Sequence, residues 1–260
     1  MKRLKFLPFV FVLGLVFTAC KTEKKETKET TPKITIEKLN NSPAYADAVL
    51  QLNSPENTET LQSGTVDFNF DVQNYELGAQ TQGPNANLLA NSGKGQHIHF
   101  ILNNQPYSAH YEANFSKEIP NGVHHLVAFL SRSYHESVKN ENSVVVKKLV
   151  VGENATDSLG LNMDAPTLIY SRPKGTYKGK DAKNLLLDFF VLNTELSENG
   201  NKVKATINGN EFLISEWTPH VVKGLPMGEV SISLELIDAE GNLIPGPFNK
   251  VERKVTLAKE

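Results

Sequence analysis

An internal duplication constrains the fold of this chain more than any other feature of its sequence. Three blocks of the first half recur in the second half in the same order: residues 63–78 resemble 184–197, residues 97–112 resemble 202–217, and residues 121–133 resemble 227–239. The first copy also carries an insertion in the region 79–96. Agreement over three blocks indicates a repeated structural unit, so both copies are expected to share one topology.

Each copy contains short runs in which apolar and polar residues alternate. Residues 202–207 read KVKATI and residues 229–236 read EVSISLEL, a pattern typical of strands with one buried face. Asn208-Gly209 follows the first of these runs, and this dipeptide is the strongest short-range signal of a β-hairpin. No long amphipathic helix pattern follows residue 20. The sequence therefore predicts an all-β fold.

The repeat length sets the domain organisation. Strands, turns and roughly 100 residues per copy predict two tandem immunoglobulin-like antiparallel β-sandwich domains related by the duplication. We place the first, histidine-rich sandwich at residues 44–152 and the second at residues 165–260. The segment GENATDSLGLNMD contains the expected linker, residues 153–164. The second copy is expected to act as a spacer or to bind a partner.

The N-terminus has the pattern of a bacterial lipoprotein signal. The basic start MKRLK precedes an apolar run over residues 6–17 that is too short to span a bilayer comfortably. The run ends in Phe17-Thr18-Ala19-Cys20, which resembles a lipobox, and the chain has no other cysteine. We therefore predict a signal peptide over residues 1–19 and lipidation of Cys20. The alternative is an ordinary secretory signal followed by a coincidental cysteine.

A charged segment follows the predicted anchor. Residues 21–33 read KTEKKETKETTPK and contain no apolar period, so they have no face to bury. We predict that residues 20–43 comprise lipidated Cys20 and a solvated tether between the membrane and the folded part. The protein is then an outer-membrane lipoprotein of a Gram-negative bacterium that faces either the periplasm or the cell surface.

Charge and motif content exclude several classes of function. The 27 lysines and arginines are balanced by 29 aspartates and glutamates, so bulk positive charge does not attract nucleic acid. A single cysteine excludes a disulfide framework and a cysteine-rich zinc site. No G-x-S-x-G, P-loop or G-x-G-x-x-G motif occurs. A non-catalytic binding protein is therefore favoured over an enzyme.

Histidines are concentrated in the first copy. Six of the 7 in the chain lie there: His97, His99, His110, His124, His125 and His135. At the first five of these positions the second copy has Lys202, Lys204, Ser215, Val230 and Ser231. The shared scaffold therefore does not require imidazole, and the histidines indicate a property of the first copy alone.

Hairpin geometry predicts that several of these histidines converge. A turn at Asn103-Asn104, equivalent to the Asn-Gly turn of the second copy, places His97 opposite His110 with Cβ atoms about 5 Å apart. His99 shares the face of His97, and His125 on a neighbouring strand completes the cluster. Imidazole nitrogen suits zinc and copper, so the sequence predicts a Zn or Cu ion held by these four residues. A register slip of one residue would remove His110 from this face.

Three segments resemble the two-domain envelope lipoproteins of flavobacteria and related Bacteroidota: the lipobox, QHIHFILNNQPYSAHY (96–111) and FLSRSYHES (129–137). The resemblance implies a cell-envelope lipoprotein. Some of these proteins carry a phosphopeptide-binding label, and Ser131–His135 is similar to the Ser-Arg-x-His stretch of forkhead-associated domains. The stretch has one residue too many here, and it lacks the upstream Gly-Arg with which that family grips phosphate. The resemblance therefore implies no phosphopeptide activity.

Two other interpretations stay open from the sequence. In one, the protein is a scaffold- or adhesion-like interaction lipoprotein, and its histidines are incidental. In the other, it binds glycans on a platform of exposed aromatic rings, with Tyr107, Tyr111, Tyr134 and Trp217 as candidates. Asp157-Ser158-Leu159 also resembles the short O-glycosylation acceptor pattern of Bacteroidota, which makes Ser158 a candidate modification site.

Overall fold

The structure is a computed structural model that describes Met1, residues 33–56 and residues 60–260. Apart from Met1, the predicted signal peptide and the lipidation site at Cys20 lie outside the described residues. Within the described part, no helix is both long and apolar enough to cross a membrane.

Strands dominate both copies, and the helices between them are short. The N-terminal strand and the first copy comprise β1 (Thr35–Lys38), β2 (Val49–Ser54), β3 (Thr60–Leu61), β4 (Gly64–Gln73), α1 (Asn85–Leu88), β5 (His97–Leu102), β6 (Ser108–His110), β7 (Asn114–Ile119), β8 (Gly122–Ser131), a 3₁₀ helix (Glu141–Ser143) and β9 (Val144–Val151). The second copy comprises β10 (Thr167–Arg172), β11 (Gly175–Lys178), a 3₁₀ helix (Gly179–Ala182), β12 (Leu185–Leu192), β13 (Lys202–Ile207), β14 (Asn210–Ile214), β15 (His220–Lys223), β16 (Gly228–Ile237) and β17 (Lys250–Ala258).

Each copy folds into a β-sandwich, and the strand order confirms the duplication. In the first copy one sheet has the order β2-β4-β7 and the other has the order β3-β9-β8-β5-β6. In the second copy β10-β12-β15 and β11-β17-β16-β13-β14 repeat this order strand for strand. The short strands β3 and β11 both run parallel to the last strand of their copy. The two tandem immunoglobulin-like sandwiches predicted from the sequence are therefore confirmed.

Equivalent asparagines begin the matching hairpin turns. Asn103 and Asn208 have positive φ angles of 50° and 45°. Oδ1 of Asn103 accepts the backbone N–H of His125 at 2.8 Å, and Oδ1 of Asn208 accepts that of Ser231 at 2.9 Å. Asparagine tolerates the left-handed conformation and bonds to nearby backbone, so the same residue type builds both turns.

The expected tether boundary at residue 43 is wrong, because the chain is already part of the fold at residue 34. Strand β1 pairs antiparallel with β15 and extends the smaller sheet of the second sandwich. Ile34 is buried in the core of that sandwich, and Ile36 packs against it. The alternating isoleucines of KITIEK are a strand signal that the surrounding charged residues obscure.

Each sandwich has its own apolar core, and a third apolar cluster lies between the two sandwiches. Along β8, the even-numbered residues of 126–130 lie in the core of the first sandwich, and the odd-numbered ones face the second sandwich. The cluster between the sandwiches contains Ile101, Tyr107, Val127, Phe129, Ile169, Phe190 and Phe248. Leu159 and Leu161 of the linker pack against it. The described residues from 33 to 260 therefore belong to one compact unit, in which both faces of β8 are buried.

A buried ion pair also crosses the interface. Lys139 of the first sandwich pairs with Asp188 of β12, and the Asp188 side chain is fully buried. The second carboxylate oxygen of Asp188 accepts the backbone N–H of Ser137 at 3.0 Å. Nζ of Lys139 lies 5.6 Å from the ring centroids of Phe190 and Trp217. Loss of either charged partner leaves the other buried without compensation, so this contact favours one arrangement of the sandwiches.

We expect Lys139→Met to lower the free energy of unfolding by about 3 kcal/mol, because Asp188 would stay buried without its cation. Lys223→Met is the matched control, since its pair with Glu37 is exposed to solvent and such pairs contribute about 1 kcal/mol or less. Urea denaturation of both variants measures the difference. Equal losses in the two variants would contradict the role given to the pair with Asp188.

Candidate metal centre

Three histidine side chains converge between the sandwiches. Nε2 of His97 lies 2.9 Å from Nε2 of His99 and 3.1 Å from Nδ1 of His135. One ring nitrogen from each residue lies within 4.8 Å of the others. His97 and His99 are fully buried, and His135 is partly buried. Two of the four predicted ligands, His97 and His99, are therefore brought together, and His135 joins them.

Strand β5 places His97 and His99 on the face that the second sandwich covers. Ile98 and Phe100 point into the core of the first sandwich, so the alternating histidines point away from it. Ser171 of β10 contacts this face, with its Oγ 3.2 Å from Nδ1 of His99. The cluster therefore lies where the two copies meet.

The equivalent face of the second copy is open. Lys202 and Lys204 of β13 take the positions of His97 and His99 and stay partly exposed to solvent. Lysine suits an exposed face, whereas a neutral imidazole can be buried at lower cost than an ammonium group. Burial thus explains why lysine is absent from this part of β5. It does not explain why three imidazoles meet.

His135 occupies a backbone position that favours glycine. Its φ is 71°, and its N–H donates to the carbonyl of Arg132 at 2.8 Å. The equivalent turn of the second copy has Gly241 at a φ of 88°, with its N–H donating to Asp238 at 3.1 Å. The left-handed conformation costs an L-residue about 1 kcal/mol or more. A histidine in place of glycine therefore has a cost in backbone free energy, which makes its side chain a candidate for a function.

The predicted ligand set does not include His135, although a sequence signal points to it. The third pair of matching blocks ends at Ser133 and Ala239. Extending both blocks by two residues aligns His135 with Gly241. The turn of the second copy has glycine at this position, which adopts the required backbone conformation without strain. A histidine at the aligned position is therefore a candidate functional residue.

Contacts outside the cluster orient two of the rings. Nδ1 of His97 lies 2.8 Å from the carbonyl oxygen of Gly95. A carbonyl oxygen only accepts, so His97 carries its proton on Nδ1 and presents the lone pair of Nε2 to the cluster. Nδ1 of His99 bonds to the hydroxyl of Ser171. Backbone carbonyls and polar side chains orient metal-ligating imidazoles in the same way.

The surroundings of the cluster disfavour positive charge on the imidazoles. Burial lowers the pKa of His97 to about 4 and that of His99 well below its ordinary value. Burial also lowers the pKa of His135. The cations Arg172 and Lys174 contribute to all three shifts. The rings are therefore neutral at neutral pH, which is the protonation state that binds metal.

The prediction that His110 opposes His97 is wrong by one residue of strand register. The Asn-Asn turn forms, but the strand after it pairs His110 with Ile98. Pro106 lies between the turn and β6, and proline has no N–H to continue the hydrogen-bond ladder. Because side chains alternate, this shift turns His110 to the other face, where its ring stacks on Phe115 with centroids 3.4 Å apart.

The prediction that His125 completes the site is also wrong, because His125 lies towards the far end of β8. Strand β8 runs antiparallel to β5 and pairs Ser131 with His97. His125 is therefore about 20 Å from Ser131 along the strand. It faces the second sandwich there, with its ring centroid 5.5 Å from that of Phe248.

Arg132, the arginine of the forkhead-like stretch, is committed to structural contacts. Its buried guanidinium donates to the carbonyl oxygens of Pro43 and Ser137 at 3.1 and 2.8 Å and pairs with Glu136 at 3.1 Å. Glu136 in turn accepts a hydrogen bond from Ser42. This network ties the segment after β1 to the turn that follows β8. A phosphate group would have to displace these contacts, so the phosphopeptide label gains no support.

The aromatic residues considered for a glycan platform do not form one. Tyr107 and Tyr134 are buried. Trp217 is partly buried and packs edge-on against Phe190, with ring centroids 4.9 Å apart. Tyr111 is also partly buried. These rings serve packing and leave no coplanar exposed surface for a sugar.

Ser158 lies in an exposed turn of the linker. The side chain of the preceding residue, Asp157, accepts the N–H of Leu161 at 3.0 Å and pairs with Lys148 at 2.9 Å. These contacts hold the turn against β9. O-glycosylation of Ser158 stays a prediction.

No protein-family model matches the sequence, and no curated protein matches it. Among solved structures, the chain is similar to fibronectin(III)-like modules of Clostridium thermocellum CbhA, at 13% identity over 81% of this chain and 95% of that one, with a TM-score of 0.29. SGBP-B of a Bacteroides ovatus mixed-linkage glucan utilization locus, in complex with a heptasaccharide, gives 12% identity over 80% of this chain and 46% of that one, with a TM-score of 0.23. Likeness at these scores carries no argument about function, and the sandwich fold rests on the strand order.

We expect lower pH to destabilise the metal-free protein. Burial lowers the pKa of His97, His110 and His125 to about 4, whereas histidine in an unfolded chain has a pKa of about 6.5. Between these values the unfolded state binds more protons than the folded state, so the free energy of unfolding falls as the pH falls. A fully buried histidine contributes a slope of up to about 1.4 kcal/mol per pH unit.

His125→Phe removes one of these titrating groups from a site already lined by Phe248. We expect the free energy of unfolding of this variant to depend less steeply on pH, by up to one proton, between about pH 6.5 and 4.5. Urea denaturation at several pH values, with a chelator present, measures both slopes. A slope equal to that of the wild type would show that His125 is not desolvated in the folded state.

Proposed function

We propose that this protein is a lipid-anchored binding protein of the cell envelope whose first sandwich holds a transition-metal ion, zinc or copper. The proposed ligands are His97, His99 and His135. One observation carries the proposal: three imidazole nitrogens from β5 and from the turn after β8 lie within 4.8 Å of one another at a buried interface. The set keeps two residues of the sequence prediction and replaces His110 and His125 with His135.

The spacing of the nitrogens supports a tetrahedral ion. Zinc binds imidazole nitrogen at about 2.0–2.1 Å, so two nitrogens of a tetrahedral site lie about 3.3–3.4 Å apart. The separations from Nε2 of His97 to the other two nitrogens are 2.9 and 3.1 Å. The third separation is within 4.8 Å, so an ion would require His97 to move outward and the nitrogens of His99 and His135 to move towards each other.

Hydrogen bonds and a metal ion can both occupy this arrangement. Nε2 of His97 presents one lone pair, because the proton of that ring lies on Nδ1. Nε2 of His99 can donate to it at 2.9 Å, and Nδ1 of His135 can accept from the hydroxyl of Tyr107 at 3.2 Å. A metal ion would instead accept a lone pair from each of the three neutral rings.

We assign the site a binding role instead of a catalytic one. His97 and His99 are fully buried, and Ser171 of the second sandwich contacts the same face. His135 is the one partly exposed ligand, so a substrate would have to reach the ion past that ring. Among the described residues, the charged groups that perturb all three rings are Arg172 and Lys174, and neither serves as a carboxylate general base.

Titration calorimetry of the full-length, chelator-treated protein with Zn²⁺ and with Cu²⁺ tests the proposal. We expect the wild type to bind one ion per chain and His135→Gly to lose tight binding. Glycine is the residue of the equivalent turn, at Gly241, so this substitution removes a ligand and relieves the left-handed strain together. The metal-free variant should therefore stay folded, as circular dichroism would show.

His110→Gln is the matched control, because the ring of His110 contacts Phe115 and the hydroxyl of Ser108 outside the cluster. This variant should bind metal as the wild type does. If the wild type binds neither ion, or if His135→Gly binds as tightly as the wild type, the proposed metal site is refuted. The histidines would then only pack the interface, and the protein would be a structural or interaction lipoprotein.

We also propose that Cys20 anchors the protein to the outer membrane, facing the periplasm or the cell surface. The support is the sequence alone: a basic start, an apolar run and Phe17-Thr18-Ala19-Cys20. The balanced charge of the chain supports no nucleic-acid partner.

Cys20→Ser should abolish lipidation, because serine offers no thiol for the thioether link to lipid. Metabolic labelling with a fatty acid should mark the wild type and leave the variant unmarked. In detergent phase partition, the wild type should enter the detergent phase. A variant that still carries label would place the lipid elsewhere and overturn the assignment of Cys20.

A further inference from the structure

A phenol lies next to the histidine cluster. Oη of Tyr107 is 3.2 Å from Nδ1 of His135, close to the separation of about 3.3 Å between two ligands of a tetrahedral ion. The ring of Tyr107 stacks on that of His99, with centroids 3.5 Å apart and planes inclined by 12°. Tyr107 is 3% exposed, so its hydroxyl is held at the cluster and away from solvent.

Two cations surround this phenol. The guanidinium carbon of Arg172 lies 5.3 Å from the ring centroid of Tyr107, and Nζ of Lys174 lies 3.8 Å from it. Within the described part of the chain, neither cation forms an ion pair with a carboxylate. Nη1 of Arg172 donates to another phenol, Tyr177, at 2.7 Å. A divalent ion on three neutral imidazoles would add to this positive charge, so an anionic fourth ligand is favoured over a neutral one.

We infer that Tyr107 is the fourth ligand of the metal site and binds the ion as a phenolate. This inference rests on the proposed function, because it requires the ion. On binding, a bond forms between the phenol oxygen and the metal, the O–H bond breaks, and the proton passes to solvent. No electron is transferred. The phenolate offsets part of the positive charge of the ion, Arg172 and Lys174.

The register shift that removes His110 from the site also brings Tyr107 into it. In the second hairpin, which has no such shift, Phe212 is the sequence equivalent of Tyr107 and packs against the core of its own sandwich. Tyr107 instead joins Ile101 at the interface. One residue of slip therefore exchanges an imidazole for a phenol on the face that carries His99.

Copper titration of the full-length protein tests this ligand set, because phenolate bound to Cu²⁺ gives a visible charge-transfer absorption that imidazole ligands do not give. We expect the wild type to develop this band up to one equivalent of Cu²⁺. Tyr107→Phe should bind Cu²⁺ more weakly and lose the band. Tyr111→Phe is the matched control: its ring lies 5.0 Å from that of His97, but its hydroxyl bonds to Ser92 at 2.8 Å. This control should keep the band.

The outcomes separate the two proposals. Copper binding to the wild type without the band, or a band that survives in Tyr107→Phe, overturns the role of Tyr107 and leaves the histidine site standing. A wild type that binds no copper and no zinc overturns both. Loss of the band in Tyr111→Phe with its retention in Tyr107→Phe assigns the phenolate to Tyr111 and also overturns the inference.

Discussion

Contact between the outer face of β5 and β8 and the second sandwich sets the properties of the first copy. An isolated sandwich of this type would expose that face to water, as the second copy exposes Lys202 and Lys204. Here the face is closed by an apolar cluster, and the ion pair between Lys139 and Asp188 crosses the same interface. Desolvation by this contact keeps the buried imidazoles neutral and makes each unpaired nitrogen costly. The candidate metal centre is thus a product of how the copies pack.

The duplication provides an internal reference for what the scaffold itself requires. Both copies share the strand order and the hairpin turns. They also share the turn that follows β8 in the first copy and β16 in the second. Within that shared frame, His135 replaces Gly241, and the first hairpin alone has the shifted register. Both differences from the second copy affect residues at one place, beside His97 and His99. Sequence differences between the copies that the shared scaffold does not require, and that lie together at one site, are expected where one copy has acquired a function.

Two kinds of feature meet at the histidine cluster. Three ring nitrogens face one point, one residue is held in a left-handed conformation, and two cations lie over the ring of a phenol. The left-handed conformation is unfavourable by itself, whereas a cation over an aromatic ring is favourable. An ion bound by the imidazoles and the phenolate would give the three nitrogens a common partner.

The sequence alone determined the two-copy organisation, the all-β class, the Asn-Asn turn and the facing of His97 and His99, because local periodicity and turn residues encode these features. Only the tertiary structure decided which face of the first copy is buried and where the strand after Pro106 resumes pairing. A one-residue difference in register reverses every side chain. Pro106 marks where the ladder is interrupted, but it does not specify the register in which pairing resumes. His110 and His125 are therefore not among the proposed ligands. His135 and Tyr107 take their places, because contacts between distant segments of the chain bring them to His97 and His99.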